Sequence, residues 1–133
     1  MYISSTSILC YDCNSAFDPR CGEEFDSFSL GVVNCSLRDP LEHMPDEKPT
    51  LCRTIKMEIN TKVRVVRQCG YLADEPSAPP CRRQSGVGDV FVTYCSCDTD
   101  LCNAALTNHA MVGVLLVAVY LNRYLRPSKH TFF

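Results

Sequence analysis

Ten cysteines constrain this chain more than any other feature. They stand at positions 10, 13, 21, 35, 52, 69, 81, 95, 97 and 102 of 133 residues, so all of them precede residue 103. An even count at this density, over so short a stretch, reads as a disulfide framework made in an oxidising compartment. A domain this small buries too little apolar surface to be comfortably stable alone. Each bridge adds about 2–4 kcal/mol, so several would supply a large share of the stability. The length accommodates one domain with tails.

Metal binding is the competing chemistry for closely spaced cysteines. Cys10-x-x-Cys13 and Cys95-x-Cys97 have ligand-like spacing, but a structural zinc takes four ligands, usually as two close pairs. Cys21, Cys35, Cys52, Cys69 and Cys81 stand singly. His43 has no ligand-like neighbour, and His109 and His130 lie beyond the last cysteine. The expectation is therefore no metal and no cofactor. Nor is there a catalytic constellation: Gly86 and Gly88 read as turn glycines, and no Ser, His or Asp sits in a nucleophile motif. With the cysteines committed to bridges, the chain reads as a non-enzyme without a small-molecule substrate.

Strand signals recur along the cysteine region. "SILCYDC" and "LGVVNCS" are short and apolar-rich. "TLCRTIKMEI" and "KVRVVRQCGYL" form the best pair. In the first, Ile55, Met57 and Ile59 alternate with Thr54, Lys56 and Glu58. Asn60-Thr61 between the two reads as a hairpin turn. "DVFVTYCSC" is a last strand, rich in β-branched and aromatic residues. Proline-rich loops separate these segments, and no helix is expected before residue 103.

The two ends differ from this region. Residues 1–9 lack the basic start, the apolar run and the cleavage site of a secretory signal. Disulfides require export, so the expectation is an N-terminal stub lacking its true start; the alternative is a short polar lead into the first strand. Residues 104–133 contain no acidic residue and no cysteine. "AMVGVLLVAVYL", residues 110–121, is uncharged. As a helix it would span about 18 Å, against roughly 30 Å of hydrocarbon.

From "LCYDCNS" and "DPRCGEEF" through "VVNCS", "CRTIKMEI" and "VVRQCGY" to "YCSCDTDLCN", the chain resembles the Ly6/uPAR three-finger proteins, and within them the insect Quiver/Sleepless-like group. The resemblance covers about residues 8–103. It implies a small, disulfide-rich, all-β three-finger (snake-toxin-like) fold for residues 10–103, with three hairpins projecting from a disulfide-tied hub. It implies the pairs Cys10–Cys52, Cys13–Cys21, Cys35–Cys69, Cys81–Cys95 and Cys97–Cys102, and an Asn103 hydrogen-bonded back into the hub. It also implies a glycolipid (GPI) anchor signalled from residues 104–133, with attachment at Asn103 or Asn108. The short spacer after Ala105 and the basic end depart from that pattern. A short type I span over residues 106–121 therefore stays open, with Arg123, Arg126 and Lys129 inside the cell.

Charge is uneven. The first 103 residues hold 10 basic and 15 acidic side chains, a balance of −5. The middle finger runs the other way, with Arg53, Lys56, Lys62, Arg64 and Arg67 against Glu58 alone. These five cations are the candidate contact for an acidic partner; a solvated hairpin face is the plain alternative. Asn34-Cys35-Ser36 is a candidate glycosylation sequon, with its middle residue expected in a bridged strand. Nucleic acid is not expected for an exported acidic domain. The Sleepless-like branch is associated with modulation of voltage-gated potassium channels and nicotinic acetylcholine receptors, and so with neuronal excitability and sleep. The expected setting is the extracellular face of the plasma membrane. Septate-junction organisation, or a freely secreted toxin-like role, are the alternatives.

Overall fold

The alternation in residues 51–70 builds the longest hairpin. β4 (Leu51–Ile59) and β5 (Lys62–Gly70) pair in register along their whole length, from Leu51↔Gly70 to Ile59↔Lys62. In this computed structural model, which describes residues 7–104, Asn60 and Thr61 close the hairpin with φ of 46° and 68°. Positive φ at both central residues defines the turn whose twist matches the flanking strands. Asn tolerates that conformation; a β-branched Thr does so only with strain. Asn108, the apolar run 110–121 and the basic end lie outside the described residues.

The remaining strands are β1 (Leu9–Tyr11), β2 (Cys13–Asn14), β3 (Val32–Asn34), β6 (Cys81–Ser85) and β7 (Val90–Cys97). One sheet has the order β2-β5-β4-β7-β6, and β1 and β3 form a second, two-stranded sheet. All pairings are antiparallel. Finger one is thus the β1/β3 pair, carrying β2 in its long excursion. Finger two is β4/β5 and finger three is β6/β7. Fingers two and three share a sheet because β4 pairs with β7 from Cys52↔Cys97 to Ile59↔Val90. The helical content among the described residues is three 3-10 turns, at Pro19–Cys21, Cys35–Leu37 and Cys102–Ala104.

Register also builds the hub. Cys69, Cys52 and Cys97 lie opposite one another on β5, β4 and β7, so all three point to the same face. Each reaches off the sheet: Cys52 to Cys10 on β1, Cys69 to Cys35 after β3, and Cys97 to Cys102. These bridges fasten the small sheet onto the foot of the large one. The core is largely sulfur: Ile8 with Cys10, Cys35, Cys52 and Cys69. Cys10, Cys35 and Cys69 sit close enough to resemble a metal cluster, but each belongs to a bridge. Two disulfides simply stack, with Sγ of Cys35 3.2 Å from Sγ of Cys10. Cys13–Cys21 ties down finger one, and Cys81–Cys95 joins directly opposed residues of finger three.

One glycine stands at a close approach. A Cβ on Gly70 would lie 2.2 Å from Cδ1 of Leu51, the buried residue directly across the strand pair.

Candidate protein-interaction surface

Two-residue periodicity, started from the hub cysteines, assigns every residue of fingers two and three to a face. Thr54, Lys56 and Glu58 share the Cys52 face of β4, and Arg67 and Val65 share the Cys69 face of β5. Finger one and the hub cover this side: Thr54, Val65 and Arg67 are buried.

Arg67 is the largest fully buried side chain, at 0% exposure. Its Nη1 donates to the Asn103 carbonyl at 2.6 Å, its Nη2 to the Gly22 carbonyl at 3.0 Å, and its Nε to the Cys21 carbonyl at 3.3 Å. The guanidinium also lies 4.5 Å from the ring centroid of Phe25. Burial pushes its pKa down to about 10. Five donors in a planar fork suit a site built of carbonyls. Arg67 is therefore not a partner contact, as its place among the middle-finger cations suggests. It is an internal clamp joining finger one, finger two and the end of the domain.

Lys56 is also engaged. Its Nζ pairs with Glu23 at 2.5 Å and Glu58 at 2.9 Å, and Glu58 pairs with Arg83 at 2.9 Å. This chain of charges crosses all three fingers. The hydrogen bonds to Glu23 and then Glu58 raise the Lys56 pKa, and the bond from Lys56 holds the Glu58 carboxyl below its ordinary value. Arg53 donates to the Leu72 carbonyl at 3.0 Å, under the loop after β5. Of the five candidate cations, only Lys62 and Arg64 are exposed and free of ion pairs among the described residues.

These two lie on the opposite, open face. Three rows cross it near the finger tips. Lys62 sits beside Ile59 and Val90; Arg64 beside Met57 and Val92; Val66 beside Ile55 and Tyr94. None of these apolar side chains is buried, and Ile59 and Tyr94 are 44% and 37% exposed. No strand position in these rows is acidic. Below them, Asp74 reaches over the foot of the face to Arg82 and Ser96. The covered face thus encloses charged and polar groups beside Val65 and the hub cysteines, while a run of apolar side chains stays open on the other. At the tip, Ser15 and Ala16 of finger one join Ile59, Lys62, Val63 and Arg64 around a shallow depression of about 330 Å³.

Asn103 is placed in the hub. Its Oδ1 accepts from the Tyr11 N–H and its Nδ2 donates to the Tyr11 carbonyl, both at 3.0 Å. At 1% exposure, with its own carbonyl held by Arg67, it is a poor lipid-attachment residue; this corrects that candidate. Asn34 caps the 3-10 turn Cys35–Leu37, so the middle residue of the sequon begins a turn and is not in a strand. Asn34 Oδ1 accepts from the Ser36 N–H at 3.0 Å and the Ser36 hydroxyl at 2.7 Å. Periodicity alone flags Arg67, because it stands two residues before a hub cysteine. Nothing in the sequence flags Glu23 as the partner of Lys56.

Comparison with known proteins gives a consistent result. Residues 8–103 match the model of the Quiver family u-PAR/Ly-6-like domain. The chain is similar to the UPAR/Ly6 domain-containing protein crok of Drosophila melanogaster, 33% identical over 114 residues that cover 82% of this chain and 76% of that one. It is also similar to the UPAR/Ly6 domain-containing protein CG9338 of the same organism, 27% identical over 126 residues that cover 90% of this chain and 84% of that one. No solved structure matches.

Proposed function

Because the chain belongs to the Quiver family of u-PAR/Ly-6-like domains, we propose that it is a membrane-tethered extracellular binding module, without catalytic activity, that modulates an integral membrane protein. The observation that carries this reading is the open face, held rigid by five bridges and bearing unburied apolar side chains with two free cations. A preorganised surface loses little freedom on binding. A tether concentrates it near partners in the same membrane. The partner class proposed from the family resemblance is a voltage-gated potassium channel or a nicotinic acetylcholine receptor, with neuronal excitability as the output.

The tether proposed is a glycolipid attached beyond Asn103, with Asn108 as the candidate. No helix among the described residues is long and apolar enough to cross a membrane. Surface protein is then released by a phosphatidylinositol-specific phospholipase. Retention on the cell, with a C-terminal tag detected in the cytoplasm, would replace the lipid by a short span. For function, currents are recorded from candidate channels and receptors with and without the co-expressed chain. The reading expects a change in amplitude or gating; unchanged currents throughout would sink it.

A further inference from the structure

We infer that the open face of fingers two and three is the docking surface for an extracellular protein segment that presents an apolar ridge flanked by carboxylates. The inference rests on the binding-module reading above and names the surface and the chemistry of its partner.

Three observations select the occupant. First, the rows centred on Ile55, Met57 and Ile59 form one continuous apolar strip across β4 and β7. None of its residues is buried, and the foot of the face is met by the loop after β5, through the Leu72 carbonyl on Arg53 and Asp74 on Arg82 and Ser96. Second, the unpaired charge beside the strip has one sign. Lys62 and Arg64 line its β5 side without counter-ions among the described residues, while Arg82, on the far side, is already paired with Asp74. Carboxylates meeting Lys62 and Arg64 would find them unsatisfied, so the complementary partner is acidic along one border of its ridge. Third, the strip protrudes little: Ile55, Met57, Val66, Val90 and Val92 are half-buried between their neighbours, and only Ile59 and Tyr94 are exposed.

So little protruding apolar surface disfavours a lipid surface as occupant, because interfacial binding needs apolar groups that reach about 5–10 Å into the headgroup boundary. A second copy stacked face to face fits no better. Its own open rows carry no carboxylate to meet Lys62 and Arg64. An acidic partner segment satisfies both the strip and the cations.

The test uses the full chain on the surface of neuronal cells, with a photo-crosslinking amino acid placed at Met57 or Val92 on the open face, at Thr93 on the covered face, or at Phe17 on finger one. Crosslinked peptides are then sequenced. The expected product joins Met57 and Val92 to an extracellular segment in which Asp or Glu flanks apolar residues. Its yield falls at least tenfold in Lys62→Glu with Arg64→Glu, and severalfold when salt is raised from 0.1 to 0.5 M. If the double reversal lowers surface expression, Lys62→Gln with Arg64→Gln replaces it and the same loss is expected. Crosslinking to a second copy, to lipid, or to a segment without acidic residues overturns the inference. Protein crosslinks only from Phe17 or Thr93 overturn the surface but leave the binding-module reading standing. No crosslink from any position overturns both.

Discussion

Arg67 shows what one residue decides in this fold. Its three hydrogen bonds are charge-assisted, and it has no carboxylate partner among the described residues. Removing it takes the donor from three carbonyls, two of them in buried bonds, and a buried carbonyl left unpaired costs about 1–3 kcal/mol. Arg67→Ala is expected to lower unfolding stability by about 3 kcal/mol in denaturant titration. Arg67→Lys is expected to rescue only part, since an ammonium cannot fork across three carbonyls as the planar guanidinium does. A change below about 0.5 kcal/mol in Arg67→Ala would show that the clamp is idle. Glu58 gives a pH signature. Its folded pKa is depressed below 4.5 by Lys56 and Arg83, so its contribution is present above that value and is lost as pH falls through the lower, folded value. Denaturation of Glu58→Gln across pH 3–7 is expected to show a stability gap from the parent at pH 6–7 that closes as pH drops below about 4.5. A gap constant across the range would place its origin elsewhere.

Among the elements, the central hairpin owes its register to a turn that is only half suited to its shape. Thr61 holds a φ of 68° on an exposed turn. The left-handed conformation costs an L-residue about 1–2 kcal/mol, and glycine gives back about 0.5–1 of that in chain entropy. Thr61→Gly should therefore stabilise the domain by roughly 0.5–1 kcal/mol, raising its melting temperature by about 3–5 °C. A fall in melting temperature would mean that the Thr61 side chain contributes contacts outweighing the strain. Gly70 sets the opposite limit at the foot of the same hairpin, where an added methyl would collide with Leu51. Gly70→Ala is expected to cost about 1–3 kcal/mol, as overpacking does elsewhere.

At the level of the whole molecule, the five bridges are not equivalent. Cys81–Cys95 joins strands that already pair, and spans 14 residues. Cys10–Cys52 spans 42 residues, holds one sheet to the other, and has both cysteines at 0% exposure. Chain entropy alone gives about 3 kcal/mol for the shorter loop and about 4 for the longer. Core burial widens that difference. The double variant Cys81→Ala with Cys95→Ala is thus expected to be secreted and folded. Cys10→Ala with Cys52→Ala is expected to be retained or unfolded, read by secretion yield and by circular dichroism of any recovered protein. Equal yields would show that the hub needs no covalent tie.

Local patterns were enough for β4, β5 and β7, the turn at Asn60-Thr61, and the expectation of bridges, because two-residue alternation and cysteine count are properties of short segments; β6 (Cys81–Ser85) is polar and exposed beyond its cysteine, so no apolar alternation marks it. The resemblance in residues 8–103 supplied the finger topology; spacing alone leaves ten cysteines with many pairings. The tertiary structure decided which charges are free. Alternation sets Arg67 on the opposite face from Lys62 and Arg64, but only the fold encloses it with Cys21, Gly22 and Asn103, from 36 to 46 residues away. Lys56 is neutralised by Glu23, which no local pattern links to it. It also decided which side of the sheet is covered. Alternation divides Ile55, Met57 and Ile59 from Lys56 and Glu58, but only the tertiary fold, tied at the hub through Cys52, Cys69 and Cys97, brings the finger-one loop with Glu23 against the Lys56 side and leaves the Ile55, Met57 and Ile59 side open.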